Sequence, residues 1–221
     1  RGLYAAQVLN SIGVPTINSH EVAAVCSDKV STTIALTQAG IPQPSTRLAF
    51  SVDTAIDAGE ELGYPYVIKP VIGSWGRLVN RINDRDAAEA VFEHREVLGS
   101  FQHQLYYIQE LIEKPGRDIR AFVIDTETPV AIYRHSKHWL TNTARGATAS
   151  ECKVTAELHD ICQRAAQAVG GGVLAIDLLE DPERGLLVNE INHTMEFHST
   201  VPLTGVDLPG MIIDRALQVT K

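Results

Sequence analysis

The chain has 221 residues, 44% hydrophobic and 21% charged, with a formal net charge of -8. This is a globular composition, long enough for one large or two small domains. The acidic balance argues against general nucleic-acid binding, which needs a basic face, and no apolar run approaches the roughly 20 residues of a membrane span.

In chain order, residues 3–9 read as a helix and 14–18 as a short strand, the end of an α/β unit whose beginning is absent. Ser27-Asp28-Lys29 can cap a helix to about residue 39, stopped by Gly40 and Pro42. Residues 46–50 read as a strand; Ser51-Val52-Asp53 then opens a helix through Leu62 that Gly63 ends. Tyr66-Val67-Ile68-Lys69 is a strand closed by Pro70, followed by the loop Gly73-Ser74-Trp75-Gly76-Arg77, a return strand at 78–82 and a capped helix at 84–98. Strands are expected at 105–110, 118–124 and 130–134, then a polar segment from 136 to 150 and a helix from about 155 to 169, ending at three glycines. Apolar runs at 174–179 and 186–192, joined by Asp181-Pro182-Glu183-Arg184-Gly185, read as a hairpin, and a last helix covers about 208–219. Strands alternating with helices, then antiparallel strand pairs, indicate an α+β chain with two lobes.

Three cysteines (Cys26, Cys152 and Cys162) are odd in number and lack CxxC spacing. They fit reduced thiols in a cytoplasm better than a disulfide or zinc framework. His135 and His138 have no Cys or acidic cluster beside them and read as surface or substrate residues. No cationic-then-apolar leader is present, so a cytoplasmic location is expected, and the start at Arg1 leads to the expectation that further sequence precedes it.

The 174–192 hairpin carries charge inside apolar runs. A pivot near 183 sets Asp177 opposite or next to Glu190, and Glu190 and Asn192, two apart, share a face. Two carboxylates and a carboxamide there suit Mg²⁺, an oxygen-seeking cation; the other reading is a carboxylate pair facing solvent. Lys69, at a strand end before Gly73 and Gly76, suits phosphate held by a point charge and close backbone N–H groups, with Trp75 as cover; a plain β-turn is the alternative. Gln109-Glu110-Leu111-Ile112 ends a strand as an adenine edge requires, with Asp118 placed for a ribose, or it opens an ordinary charged loop. Arg134, Lys137, Asn142 and Arg145 form a cationic run that either holds anionic charge or is a solvated face.

In this order the features resemble the ATP-grasp superfamily over residues 27–192. Ile68-Lys69-Pro70 with the glycine loop, Glu113-Lys114-Pro115-Gly116-Arg117-Asp118-Ile119-Arg120, Asn142-Thr143-Ala144-Arg145-Gly146 and Val188-Asn189-Glu190-Ile191-Asn192-His193-Thr194-Met195-Glu196-Phe197 narrow the resemblance to the LysX branch of the RimK-like group. The resemblance implies an ATP-grasp fold of two α+β lobes gripping ATP. Residues 1–20 would be the tail of an N-terminal α/β domain, 21–104 the first lobe and 105–221 the second. It implies an ADP-forming ligase of lysine biosynthesis, which joins the α-amino group of α-aminoadipate to the C-terminal glutamate γ-carboxyl of the acidic carrier protein LysW.

Carried onto matching positions, Lys29 and Lys69 would contact ATP phosphates, and Gly73, Ser74, Trp75, Gly76 and Arg77 would fold over them. Gln109, Glu110, Leu111 and Ile112 would hold adenine, and Asp118 or Glu113 the ribose. Arg120, Arg134 and Asn142 would complete the nucleotide contacts. Asp177, Glu190 and Asn192 would bind Mg²⁺, and Arg145, with Lys69, would serve the chemistry. His193, Thr194, Glu196 and Phe197 would line the amino-acid pocket. Ala147 departs from the pattern, which usually has a second glycine there. Alternatives of the same kind are a glutamate–LysW ligase of arginine biosynthesis and a RimK-type protein glutamate ligase; from another class, an inactive nucleotide-binding module. A basic dock including Arg77, Arg81 and Arg145 is expected for the carrier, and family members are commonly homo-oligomers.

Overall fold

The computed structural model describes residues 1–73, 77–99, 104–141 and 148–220. In chain order its elements begin with α1 (Gly2–Ser11), α2 (His20–Ser27), α3 (Lys29–Gln38), β1 (Thr46–Ala49), α4 (Val52–Leu62), β2 (Tyr66–Lys69), β3 (Asn80–Ile82), α5 (Arg85–Leu98) and β4 (Tyr106–Glu110). They continue with β5 (Arg117–Ile124), β6 (Glu127–His135), β7 (Thr148–Cys152), α6 (Ala156–Ala168), β8 (Val173–Asp181), β9 (Gly185–Asn192), α7 (Thr200–Thr204) and α8 (Leu208–Val219). Polar caps set the helix starts: Asp28 accepts from Ser31 N–H, Ser51 forms a capping box with Thr54, and Asp84 and Thr155 accept from Ala87 and Leu158.

Two compact units result, residues 44–113 and residues 1–43 with 114–221. The first holds an antiparallel sheet in the order β1-β4-β2-β3. Alternation turns Ala49, Tyr66, Ile68, Ile82, Tyr106 and Ile108 onto Ala55 and Ile56 of α4 and Ala88 and Phe92 of α5. Thr46, Val67, Lys69, Tyr107 and Gln109 therefore occupy the opposite face.

The second unit holds the antiparallel sheet β7-β6-β5-β8-β9. One face buries Ile119, Ala121, Val123, Ala131, Leu174, Ile176 and Leu178 against Leu158, Ile161 and Ala165 of α6, with Val22 of α2 and Leu36 of α3 in the same core. This packing explains why residues 21–43 group with 114–221 and not with the sheet of residues 46–110, as the expected lobe limits had it. The other face is divided: Phe122, Ile124, Val130, Ile132, Val173 and Ala175 pack with Leu208 of α8, while the far ends of the same strands carry charge.

Four elements differ from the sequence reading, one of them the short helix α7, which no expectation covered. Residues 14–18 form no strand; instead Asn18 bridges the hairpin, its Nδ2 donating to Val173 O (2.7 Å) and His193 O (2.8 Å) and its Oδ1 accepting from Val173 N–H (2.6 Å). Helix α2 falls where no helix was expected. Strand β7 emerges from the polar segment because an edge strand needs only one apolar face. No helix among the described residues is long and apolar enough to cross a membrane.

Gly59 and Asn18 give two stability tests. A Cβ on Gly59 would lie 2.5 Å from Tyr66 Oη and 2.6 Å from Tyr66 Cζ, and Tyr66 is fully buried. Gly59→Ala should therefore lose about 1–2 kcal/mol despite its better helix propensity, read as a lower urea midpoint at unchanged m-value. Asn18→Ala removes three hydrogen bonds that contribute about 0.5–1.5 kcal/mol each, so a loss of roughly 2–4 kcal/mol and faster hydrogen exchange at the Val173 amide are expected.

Candidate active site

In the unit of residues 44–113, Lys69 ends β2 beside Gln109 of β4, and its Nζ donates to Gln109 Oε1. Gln109 Nε2 in turn donates to Thr46 Oγ1 (3.2 Å) and Tyr107 Oη (3.3 Å), so a buried carboxamide fixes the lysine. Glu110 Oε1 accepts from Ser45 N–H (2.6 Å) and its own N–H donates to Ser45 O, which ties down the end of the strand. Leu111, Ile112 and Glu113 follow outside the strand, with Ile112 buried and Glu113 exposed. Gly73 takes φ +68°, the left-handed conformation expected of a glycine loop, and Arg77 is exposed. Ser74, Trp75 and Gly76 lie outside the described residues.

In the other unit, the β8–β9 register sets Asp177 opposite Glu190. In an unbroken strand Val188 and Glu190 would share a face, yet Val188 belongs to the apolar core. A register shift resolves the conflict: Leu178 pairs with Val188, so Asn189 is the extra residue of a bulge that turns Glu190 and Asn192 to the charged face. Asp177 is buried and held by Arg120 at Nε–Oδ1 2.8 Å and Nη2–Oδ2 2.9 Å, with Arg134 Nη2 3.2 Å from Oδ2. Burial raises its pKa, but the two guanidiniums outweigh burial and hold it at about 2. Lys29 Nζ lies 3.1 Å from Glu190 Oε1, and Asn192 Nδ2 is buried without a hydrogen-bond partner.

Arg134 also clasps Asp118, at 2.7 and 2.8 Å, and Thr141 Oγ1 donates to Asp118 Oδ2. Burial opposes the charge on Arg134, but Asp177 and Asp118 outweigh it and raise its pKa. Lys114 donates to Thr141 at 2.6 Å and lies 4.0 Å from Asp118, and burial lowers its pKa.

Asp118, expected at the ribose, is 4% exposed with Arg134 and Thr141 on its oxygens, and Asp177, expected at the metal, is equally buried with Arg120 and Arg134 on its own. Arg134, expected at phosphate, is likewise buried between two carboxylates. The sequence reading missed Thr141, Lys114, Asn18 and Ser27. Hairpin arithmetic about Asp125-Thr126 would have paired Asp118 with Tyr133, and a register shift between Phe122 and Ile124 sets it opposite Arg134 instead.

After β9, His193 Nε2 lies 3.0 Å from Ser27 Oγ and its Nδ1 3.2 Å from Thr194 Oγ1, and burial lowers its pKa. Glu196 is exposed and accepts from His198 N–H, whereas Phe197 packs into the apolar half beside α8. Asn142 and Arg145 lie outside the described residues. Among the described residues no three His, Cys, Asp or Glu side chains form a metal-holding group. The candidate donor set is therefore two carboxylates and a carboxamide. That all-oxygen chemistry, with Asn192 contributing through Oδ1, fits a hard divalent cation that takes its remaining ligands from a substrate.

Residues 26–216 match the RimK-like ATP-grasp domain family. The chain is 40% identical over 222 residues to the α-aminoadipate–LysW ligase LysX of Saccharolobus solfataricus, covering 100% of this chain and 81% of that protein. It is 38% identical over 216 residues to the glutamate–LysW ligase ArgX of Sulfurisphaera tokodaii, covering 97% of this chain and 77% of that one. The crystal structure of a RimK-domain ATP-grasp protein from Sphaerobacter thermophilus superimposes with a TM-score of 0.81 at 28% identity, over 97% of this chain and 76% of that one. The chain belongs to the RimK-like ATP-grasp family, an enzyme family of ligases.

Proposed function

We propose that this chain is an ADP-forming ligase that joins the α-amino group of α-aminoadipate to the C-terminal glutamate γ-carboxyl of the carrier LysW, through an acyl phosphate, in the cytoplasm. The observation that carries the ligase reading is the opposition of Asp177 and Glu190 on a sheet face lined by Arg120 and Arg134. The 40% identity to LysX supports the choice of amino acid.

A carboxylate attacking a polyphosphate brings two anions together, so fixed cations must offset their repulsion. Lys69 supplies one, oriented by Gln109. Arg120 supplies another on the charged sheet face, and Arg145 is assigned to the developing tetrahedral oxyanion. Asp177, Glu190 and Asn192 would hold Mg²⁺, which when bound neutralises phosphate charge. The glycine loop 73–77 is assigned to covering the phosphates, since water would hydrolyse an acyl phosphate. Gln109 to Ile112 are assigned to adenine and Glu113, exposed at the strand end, to the ribose. Burial lowers the pKa of His193, and with Ser27 beside its ring we assign it to positioning the amine substrate with Thr194 and Glu196.

Glutamate is the second reading, because the identities to LysX and ArgX differ by so little and one methylene is worth only about 1–3 kcal/mol in discrimination. A two-substrate assay decides between them. ADP release should require LysW and run faster with α-aminoadipate than with glutamate, stop with EDTA and return with Mg²⁺. Faster release with glutamate would overturn the amino-acid assignment, and nucleotide binding without turnover would leave only a binding module. A second measurement addresses the carrier: Arg77→Glu or Arg81→Glu should weaken LysW binding at low salt and matter less at high salt. Unchanged affinity at low salt would remove both residues from the dock.

A further inference from the structure

The charged half of the five-stranded sheet sets two carboxylates, Asp118 and Asp177, among three cations, Arg120, Arg134 and Lys114. That leaves one positive charge in excess within this cluster. Arg134 is the shared member. It grips Asp118 with two hydrogen bonds of 2.7 and 2.8 Å but reaches Asp177 through one nitrogen at 3.2 Å. Asp118 Oδ1 takes Arg134 Nε, and Oδ2 takes Arg134 Nη2 and Thr141 Oγ1, so three of the roughly four acceptor positions of the carboxylate are already occupied.

We propose that Asp118 is a positioning residue for the divalent cation: by engaging Arg134 it keeps that guanidinium from closing fully on Asp177, so Asp177 retains negative charge for the metal. The proposal rests on the assignment of Asp177 to the cation made above. The physical argument is one of sign. Without the Asp118 charge, Arg134 has only Asp177 to turn to, and the cluster rises from one excess positive charge to two. A divalent cation is then repelled, while a metal-free anion is held as well or better. A ribose acceptor predicts the reverse, a loss of nucleotide affinity whether or not metal is present. Neutralising Asp118 and Arg134 together returns the excess to one, which should restore the balance.

The test is calorimetric ADP affinity with and without Mn²⁺ for the full chain, Asp177→Asn, Asp118→Asn and the double variant Asp118→Asn/Arg134→Met. Asp177→Asn should abolish the gain in affinity that Mn²⁺ confers. Asp118→Asn should cut that gain about tenfold or more, in the range of outer-shell effects on metal affinity, with metal-free ADP bound as tightly or more tightly. The double variant should recover the gain to within about threefold of the parent, which a merely structural role for Asp118 would not produce. A gain that survives Asp118→Asn, or one that the double variant fails to recover, overturns the positioning role. A gain that survives Asp177→Asn overturns the metal assignment and this proposal with it. If Asp118→Asn does not fold, the double variant decides, because replacing both partners of a buried pair is better tolerated than replacing one. In Asp118→Asn, unchanged discrimination between ADP and its 2′- and 3′-deoxy analogues, with the Mn²⁺ gain cut, supports positioning, and lost discrimination returns Asp118 to the ribose.

Discussion

The buried carboxylate of Asp177 constrains the second unit more than any other single group. A carboxylate with 4% exposure in the middle of a sheet is costly unless its charge is answered by close partners. Arg120, directly opposite on β5, answers it in bidentate geometry, and Arg134, one strand further, shares it with Asp118. Each guanidinium must be held in turn, so the requirement spreads over β8, β5 and β6 and then to Thr141 and Lys114. The remainder of the same sheet face is apolar and closed by α8. The strands are thus amphipathic along their length as well as across it. Asn189 belongs to this account, because its bulge lets one strand serve the apolar core at Val188 and the ionic face at Glu190.

The unit of residues 44–113 uses a different device. Lys69 is oriented by the carboxamide of Gln109, and a carboxamide steers an ammonium without cancelling its charge. Lys29, by contrast, meets the carboxylate of Glu190. Two lysines expected to do the same work are thus held by different groups, Lys69 by a carboxamide and Lys29 by a carboxylate. A ligand phosphate approaching Lys29 must compete with Glu190, whereas a cation taken up by Glu190 would release Lys29 toward phosphate.

What could be read from the sequence follows the range of the forces involved. Helix starts at Asp28, Ser51, Asp84 and Thr155 are set by hydrogen bonds three residues away, so local sequence specifies them. Strand β2 at Tyr66–Lys69 is a dense apolar run ended by proline and was legible to the residue. Strand β7, with Thr148, Ser150 and Glu151, owes its extension to pairing with β6 and carries no strong pattern of its own. Segment 14–18 has strand-like composition but spends Asn18 on a tertiary bridge. At the site, the nearness of Asp177 to Glu190 was legible because a short turn about residue 183 fixes it to within one residue. The bulge and the Asp118–Arg134–Asp177 chain were not, since each depends on which of two faces a side chain takes in a sheet assembled from distant segments.

This lattice also explains how a chain of net charge -8 can be suited to anionic ligands. Net charge acts at long range, and at physiological ionic strength exposed charges are screened over about 8 Å. The cluster of Arg120, Arg134, Lys114, Asp118 and Asp177 acts at contact distance in surroundings of low polarity, where one unit of excess charge outweighs many distant ones. Because that excess is small, the face is not a general anion trap. A polyphosphate arriving bare leaves the carboxylates unserved, and a cation arriving alone meets the guanidiniums. The combination of phosphate with a divalent cation answers both kinds of group at once, and a ligase that activates one carboxylate with a metal–nucleotide complex needs that selectivity.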